Sequence, residues 1–217
     1  MAETVVCLHG WWMPDYEIAM VRYRLANDHG FDARIFGYPS IWKTLDHSAR
    51  ALIDYLQNLD AERVHLVGHS LGGIVALRAL SLTSDLPPGR VVCLGSPLVG
   101  SKAAQSLHHS NWGRLLLGKA LPDATLRQSA ETWASAVVVQ REVGVVAGSM
   151  PAGMGRFFAR FDEPNDGTVA VAETRLPGIT DHVVLDVSHT GMVFSKPVAD
   201  QAAAFINNGA FQHPRTD

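Results

Sequence analysis

One serine lies where the chain is best suited to nucleophilic chemistry. An apolar run ends at Gly68, Ser70 follows two residues later, Gly72 stands two residues after that, and apolar residues then recur at helical spacing. This pattern predicts a strand, a sharp turn and a helix, with the serine at the apex. Small residues two positions to either side are required there, because larger side chains would collide with the strand and helix backbones. Ser70 is therefore expected to project towards a substrate.

A serine hydroxyl is a weak nucleophile at neutral pH unless a base takes its proton and an acid orients the base. Downstream, His189 follows a predicted strand at 183–187, and the preceding loop carries Asp162, Glu163 and Asp166. An aspartate before glycine, such as Asp166, is most often a turn residue, so the residue types alone leave the choice of acid open. Together, serine, carboxylate and histidine would perform acyl transfer.

Predicted strands and predicted helices alternate along the chain, and these elements must position the three residues. This alternation predicts a parallel sheet with helices on both faces. Ligands gather at the carboxyl ends of parallel strands, where Ser70 and His189 are expected, whereas His182 precedes its strand and falls at the opposite edge. The predicted strands lie at 4–8, 32–39, 63–68, 91–95, 142–148 and 183–187, and the predicted helices at 15–27, 44–59, from Ser70 onward, and from Met192 to about 207.

The chain resembles an α/β-hydrolase of the small bacterial lipase and esterase type, from about residue 5 to about residue 208. The resemblance rests on Gly-His-Ser-Leu-Gly around Ser70, on Asp-Gly-Thr-Val from Asp166, on Ser-His-Thr-Gly around His189, and on the segment 95–101. It implies the α/β-hydrolase fold, with a mostly parallel central sheet, helices on both faces and a short lid-like insertion. It also implies a Ser-His-Asp triad in which Asp166, rather than its two acidic neighbours, is the acid.

The loop after the first strand resembles the one that supplies half of the oxyanion hole in lipases. It reads His9-Gly10-Trp11. Attack on a carbonyl places negative charge on its oxygen, which backbone N–H groups can stabilise. By position, the resemblance implies the N–H groups of Trp11 and Leu71, the residue after the nucleophile, as the two donors. His9 is expected either to hydrogen-bond locally and hold this loop or to be a buried histidine whose hydrogen bonds are satisfied.

Apolar residues beside the loop suggest a substrate pocket. Trp12 and Met13 are expected to line it, and His69 is expected to shape the site rather than to do chemistry. The 217 residues fit one domain, 1–217, in which the alternation fails at about 103–141. That insertion is either a lid or pocket wall over the site or a set of helices packed on the sheet.

The implied function is a serine hydrolase that cleaves carboxylic esters with short to medium acyl chains through an acyl-enzyme. An acyl thioesterase or acyltransferase on the same triad is the alternative, with Lys102, Arg114 and Lys119 as a sparse basic entrance for a phosphate-bearing carrier. A protein that keeps the fold only to bind ligands is a third reading. The presence of serine, acid and base disfavours it.

Composition and charge limit the kinds of partner and cofactor that this chain can be expected to bind. The net charge is −3 and no run of lysine or arginine occurs, which excludes the electrostatic pattern of a nucleic-acid binder. No apolar run reaches membrane-spanning length and no signal-peptide pattern is visible, so a cytoplasmic monomer or weak homodimer is expected. Cys7 and Cys93 each lie in an apolar strand and are expected to be reduced. Neither a metal-ligand cluster nor a cofactor fingerprint occurs, so no metal and no cofactor are predicted.

Overall fold

A computed structural model describes residues 3–101, 104, 131–152 and 162–213 of the chain. Short apolar segments rich in valine form its strands, as β-branched side chains fit a sheet that is covered on both faces. The strands are β1 (Thr4–Leu8), β2 (Asp32–Phe36), β3 (Val64–His69), β4 (Val91–Leu94), β5 (Val143–Gly148) and β6 (Asp181–Leu185).

The six strands form one sheet in the order β2-β1-β3-β4-β5-β6, and every neighbouring pair is parallel. Their carboxyl ends therefore share one edge, which is where the loops after β1, β3 and β4 begin. The predicted parallel sheet is confirmed. The last strand begins and ends two residues before the predicted range, because β6 already pairs with β5 at Asp181 and the pairing ends at Leu185.

Helices cover both faces of the sheet. Successive strand residues point to opposite faces, so Leu8 joins one apolar core and its neighbour Cys7 joins the other. The helices are α1 (Ala19–Asn27), α2 (Leu45–Gln57), α3 (Leu71–Leu82), α4 (Glu131–Gln140) and α5 (Lys196–Asn208), with 3-10 turns at Asp15–Ile18, Val171–Thr174 and Thr190–Phe194. The first core is completed by α2, α3 and α4, and the second by α1 and α5.

The carboxyl-terminal helix differs from its prediction. A single helix from Met192 was expected, but a 3-10 turn (Thr190–Phe194) comes first and α5 begins at Lys196. The break occurs because Ser195 is extended and its side chain accepts a hydrogen bond from the Val198 N–H, which caps the new helix. The short turn places His189 directly before it.

Part of the predicted insertion is described. Residues 131–140 form α4, whose Ala134 and Val137 are buried in the core that α3 also joins, and the Arg78 guanidinium lies 5.2 Å from the centre of the Trp133 ring. This section packs a helix onto the sheet. Residues 105–130, and with them the question of a lid, lie outside the described residues.

Both cysteines are free and fully buried, as predicted. Burial raises the pKa of the Cys7 thiol and that of the Cys93 thiol to about 12. They behave as small apolar side chains of the core. Within the described part of the chain, none of the helices is long and apolar enough to cross a membrane.

Candidate active site

Ser70 lies between β3 and α3 in the sharp turn that the sequence predicts. Its φ and ψ are 53° and −118°, a region that non-glycine residues rarely adopt. The turn is possible because glycines allow the backbones to meet. A Cβ on Gly68 would lie 2.3 Å from the Gly73 nitrogen, and one on Gly72 would lie 2.5 Å from the Leu8 carbonyl oxygen. The strain is thus held in place by close packing of β3, α3 and the end of β1.

The Ser70 hydroxyl is not used to hold the fold together. Serine at the N-terminus of a helix usually caps it, but here the side chain makes no capping hydrogen bond to α3. No hydrogen bond joins the hydroxyl to another described residue, His189 included, and Ser70 is only half-buried. The hydroxyl is therefore available to a partner from outside the fold.

His189 and Asp166 form a buried hydrogen-bonded pair. His189 Nδ1 lies 2.7 Å from Asp166 Oδ2, and the two side chains are 11% and 1% exposed. The backbone adds a second link, since the His189 N–H donates to the Asp166 carbonyl oxygen at 2.8 Å. The carboxylate accepts at Nδ1, so this nitrogen carries the proton and Nε2 of a neutral ring is left as a base.

The loop that carries Asp166 also fixes its carboxylate. Oδ1 accepts hydrogen bonds from the N–H groups of Thr168 at 2.9 Å and Val169 at 2.7 Å, while Oδ2 faces His189. Gly167 permits this turn with a φ of +93°. An aspartate before glycine can be a turn residue or the partner of a histidine, and Asp166 is both at once. Asp162 is exposed, and among the described residues the carboxylate that pairs with His189 is that of Asp166.

The loop after β1 lies against the turn that carries Ser70. A Cβ on Gly10 would lie 3.1 Å from His69 Nδ1 and 3.4 Å from Ser70 Cβ, so a side chain there would push these neighbours away by a few tenths of an ångström. His9 makes the local hydrogen bonds expected of it, with Nδ1 2.9 Å from the Gly10 carbonyl oxygen and the Tyr38 N–H donating to Nε2. Its ring also stacks on that of Tyr38 at 4.4 Å.

The two expected oxyanion donors are free. Neither the N–H of Trp11 nor that of Leu71 donates to a group of the described residues. Leu71 is the first residue of α3, and the N–H groups of a first helical turn have no partner within the helix. The positive end of the helix dipole strengthens their attraction for negative charge.

The predicted pocket residues occupy different environments. Trp12 is 49% exposed and has a φ of 59°, and Met13 is half-buried beside it. Their contact with substrate stays a prediction. The His69 side chain is only 3% exposed, and its two ring nitrogens face Glu17 and the His189 carbonyl oxygen, which leaves little of the ring available to a substrate. Lys102, Arg114 and Lys119 lie outside the described residues.

Sequence reasoning gave no role at this site to two residues that the structure brings to it. Glu17 is buried, with Oε1 2.7 Å from His69 Nδ1 and Oε2 accepting from the Gly10 N–H at 3.2 Å. The spacing in the sequence could have indicated that Glu17 is buried, because a glutamate four residues before Val21 falls on the buried face of the helix. Gly95 follows β4 with a φ of +58°, and a Cβ there would lie 3.2 Å from both Asp166 Oδ2 and His189 Nδ1.

The described residues offer no metal site, as no three ligating side chains among them could hold an ion. The site consists instead of a serine on a strained turn, a buried histidine–carboxylate pair and two free backbone donors. All of them follow the carboxyl ends of strands or lie in the loops beyond those ends.

Comparisons with known proteins bear on the fold. A search of curated proteins finds no match. Among solved structures, the mature Bacillus licheniformis lipase BlEst2 superimposes with a TM-score of 0.69 at 22% identity, over 96% of this chain and 92% of that one. The metagenomic carboxyl esterase MGS0156 superimposes with a TM-score of 0.63 at 16% identity, over 87% of this chain and 64% of that one. The ydeN gene product of B. subtilis superimposes with a TM-score of 0.63 at 17% identity, over 95% of this chain and 100% of that one.

At these identities the structural likenesses establish the fold. The family model described as "Alpha/beta hydrolase family" matches residues 5–207, which is nearly the whole chain. With its parallel sheet and the strained turn after β3, the chain belongs to the alpha/beta hydrolase family.

Proposed function

We propose that this protein is a serine hydrolase that cleaves carboxylic esters through an acyl-enzyme intermediate on Ser70. One observation carries the proposal: the buried 2.7 Å contact between His189 Nδ1 and Asp166 Oδ2, at the edge of the sheet where the turn with Ser70 also lies. Family membership supports hydrolysis as the general reaction. The residues support the finer assignment to ester cleavage by a Ser-His-Asp triad.

The first step forms a bond between Ser70 Oγ and the carbonyl carbon of the ester. His189 Nε2 takes the hydroxyl proton, for which Ser70 and His189 must come within hydrogen-bond reach when substrate binds, as such contacts often tighten only in the complex. Asp166 keeps the ring in the tautomer that leaves Nε2 free, and its charge stabilises the imidazolium that forms. The half-buried setting of Ser70 leaves it reachable.

The carbonyl oxygen becomes negatively charged as the tetrahedral intermediate forms. The free N–H groups of Trp11 and Leu71 are the proposed donors to this oxygen. Such donors are worth about 100-fold or more each in turnover, since they stabilise charge that exists only on the way to the products. Collapse of the intermediate breaks the bond to the alcohol oxygen, which takes the proton from His189.

Water completes the cycle. It attacks the acyl carbon of the Ser70 ester while His189 Nε2 accepts its proton. The second tetrahedral intermediate then releases the carboxylic acid and returns a proton to Ser70 Oγ. The apolar side chains of Trp12 and Met13 beside the proposed oxyanion loop favour an ester with an apolar acyl or alcohol group. Two structural neighbours, a lipase and a carboxyl esterase by name, agree with ester substrates.

The test is intact-mass analysis after incubation with a fluorophosphonate, which phosphonylates activated serines. We expect one adduct on the wild type, none on Ser70→Ala, and an unchanged adduct on the control Ser81→Ala. Ser81 lies in α3 but donates only to the Arg78 carbonyl oxygen within its own helix. A well-folded wild type that takes no adduct would refute the proposal.

Substrate class is tested separately. p-Nitrophenyl esters of increasing acyl length are compared with acyl-CoA thioesters on the wild type and Ser70→Ala. Turnover that is largest for short or medium esters and lost in the variant supports the proposal. Faster cleavage of acyl-CoA would contradict the ester assignment while keeping the nucleophile.

A further inference from the structure

A second buried histidine–carboxylate pair lies directly behind the proposed nucleophile. Glu17, in the 3-10 turn before α1, and His69, the residue before Ser70, are 5% and 3% exposed, and Glu17 Oε1 lies 2.7 Å from His69 Nδ1. The contact is off the direction of the ring N–H bond, so it is best described as an ion pair. None of the steps described above uses it.

The pair is linked at both ends to backbone of the site. Glu17 Oε2 accepts a hydrogen bond from the Gly10 N–H at 3.2 Å, in the loop of the proposed oxyanion donors. His69 Nε2 lies 3.1 Å from the carbonyl oxygen of His189, the proposed base. The rings of His69 and His189 are 4.8 Å apart between centres. One buried chain of contacts therefore joins the oxyanion loop to the base.

The number of acceptors around His69 determines its charge. A carboxylate and a carbonyl oxygen can only accept, whereas a neutral imidazole offers a single N–H and would turn a lone pair towards one of them. A ring protonated on both nitrogens places positive charge 2.7 Å from the Glu17 carboxylate and keeps an N–H for the His189 carbonyl oxygen. Burial alone would lower the pKa of His69, but the charge of Glu17 and the hydrogen bond to the His189 carbonyl oxygen outweigh it and the pKa is raised.

Glu17 is charged for the reciprocal reason. Burial would raise the pKa of its carboxyl, yet the positive charge of His69 at 2.7 Å and the hydrogen bond from the Gly10 N–H outweigh burial, and the pKa is lowered. Removing one member of such a pair leaves the other charge buried without a partner, which is strongly unfavourable. Glu17 and His69 must therefore act as a unit.

We propose that Glu17 and His69 are positioning residues for the ester cleavage proposed above: their buried ion pair fixes the oxyanion loop through the Gly10 N–H and the backbone of the base through the His189 carbonyl oxygen. This inference rests on the proposed function. The pair touches no reacting atom, and its effect passes through the placement of the Trp11 N–H and the His189 ring. A misplacement of about 1 Å in such groups can cost about 100-fold in rate.

The main variant is Glu17→Gln, which keeps the size of the side chain and an oxygen for the Gly10 N–H but removes the charge. We expect kcat per fluorophosphonate-reactive site to fall about 100-fold while KM stays within about threefold, since placement of the reacting groups matters most in the transition state. Asp15→Asn is the matched control. Asp15 belongs to the same 3-10 turn but is exposed, and its variant should keep wild-type turnover.

A spectroscopic readout separates positioning from plain structural support. In ¹⁵N-histidine spectra near neutral pH, the wild type should show His69 with two protonated ring nitrogens, and Glu17→Gln should show a neutral His69 ring. His69→Gln and the double variant complete a mutant cycle. If the two residues act as a unit, the double variant loses no more activity than either single variant.

The outcomes distinguish this inference from the proposed function. A wild type without a fluorophosphonate adduct overturns the proposed function, and this inference with it. An adduct on the wild type together with normal kcat per reactive site in folded Glu17→Gln overturns only the positioning role. If Glu17→Gln does not fold, His69→Gln is read in the same way. A neutral His69 ring in the wild type also overturns the ion pair.

Discussion

Gly68 at the end of β3 lies so close to Gly73 in α3 that a Cβ on Gly68 would be 2.3 Å from the Gly73 nitrogen and 2.4 Å from the Gly72 carbonyl carbon. Real Cβ atoms essentially never approach backbone so closely. We therefore expect Gly68→Ala to lower the free energy of unfolding by about 3 kcal/mol. Urea denaturation measures this directly. A variant as stable as the wild type would show that β3 and α3 can separate without cost.

Gly95→Ala should impair catalysis by pushing on the pair formed by Asp166 and His189. The added Cβ would lie 3.2 Å from Asp166 Oδ2 and from His189 Nδ1, and 3.0 Å from Met192 Sδ. We expect kcat to fall roughly 10- to 100-fold, because the pair must shift to make room. Steady-state kinetics on a p-nitrophenyl ester measures the change.

The matched control for Gly95→Ala is Gly30→Ala. Gly30 has a similar positive φ of +76°, but a Cβ there would meet nothing within 4 Å. Backbone strain of about 1 kcal/mol is common to both variants, whereas crowding of the site is confined to one. Equal turnover in the two variants would contradict a steric effect on the pair.

Asp166→Asn should separate the two functions of this side chain. An asparagine Oδ1 can still accept from the Thr168 and Val169 N–H groups and preserve the turn. Its amide would favour the wrong tautomer of His189, so we expect kcat to fall about 10⁴-fold with little loss of stability. Asp166→Ala should lose the turn as well, leaving two N–H groups without acceptors at a cost of about 1–3 kcal/mol each. Thermal melts measure the stability of both variants, and steady-state kinetics measures their turnover. If Asp166→Asn unfolded as readily as Asp166→Ala, the separation of the two functions would be contradicted.

Local features of the sequence were sufficient to predict the turn at Ser70. Its conformation is imposed by glycines within a few residues, so the pattern contains the cause. The boundaries of β6 were less predictable. The apolar run suggested 183–187, but pairing with β5 decides the strand, and it runs from Asp181 to Leu185.

The role of Glu17 depends on contacts that no local pattern encodes. The glutamate meets His69, which is far along the chain, only after β1 and β3 have paired and brought their following loops together. The Asp166–His189 contact is also non-local, but the resemblance to lipases supplied it. Contacts between distant elements without such a motif are the part of the site that sequence reasoning could not reach.

His182 should make stability depend on pH in the acidic range. Burial, helped by the charge of Arg175, lowers the pKa of His182 to about 4. The unfolded chain therefore binds more protons than the folded one between about pH 6.5 and pH 4. Its contribution to stability is complete above about pH 6.5 and is lost as the pH falls towards 4.

The measurement compares wild type with His182→Gln, whose amide can still donate to Thr174 Oγ1, the partner of His182 Nε2 at 2.9 Å. Groups that titrate in both proteins cancel in the difference. We expect the melting temperature of the wild type to fall more steeply than that of the variant between pH 6.5 and pH 4. Parallel curves would contradict the assignment to His182.

The two thiols should be unreactive in the folded protein. Cys7 and Cys93 are fully buried, and burial raises the pKa of each thiol to about 12, so almost no thiolate exists at pH 8. We expect a thiol reagent such as Ellman's reagent to modify neither cysteine in native protein and both in urea. Rates measured at intermediate urea should follow global unfolding, because both residues lie in central strands of the sheet. Rapid modification of either thiol without denaturant would show that β1 or β4 opens locally, next to the turn that holds Ser70.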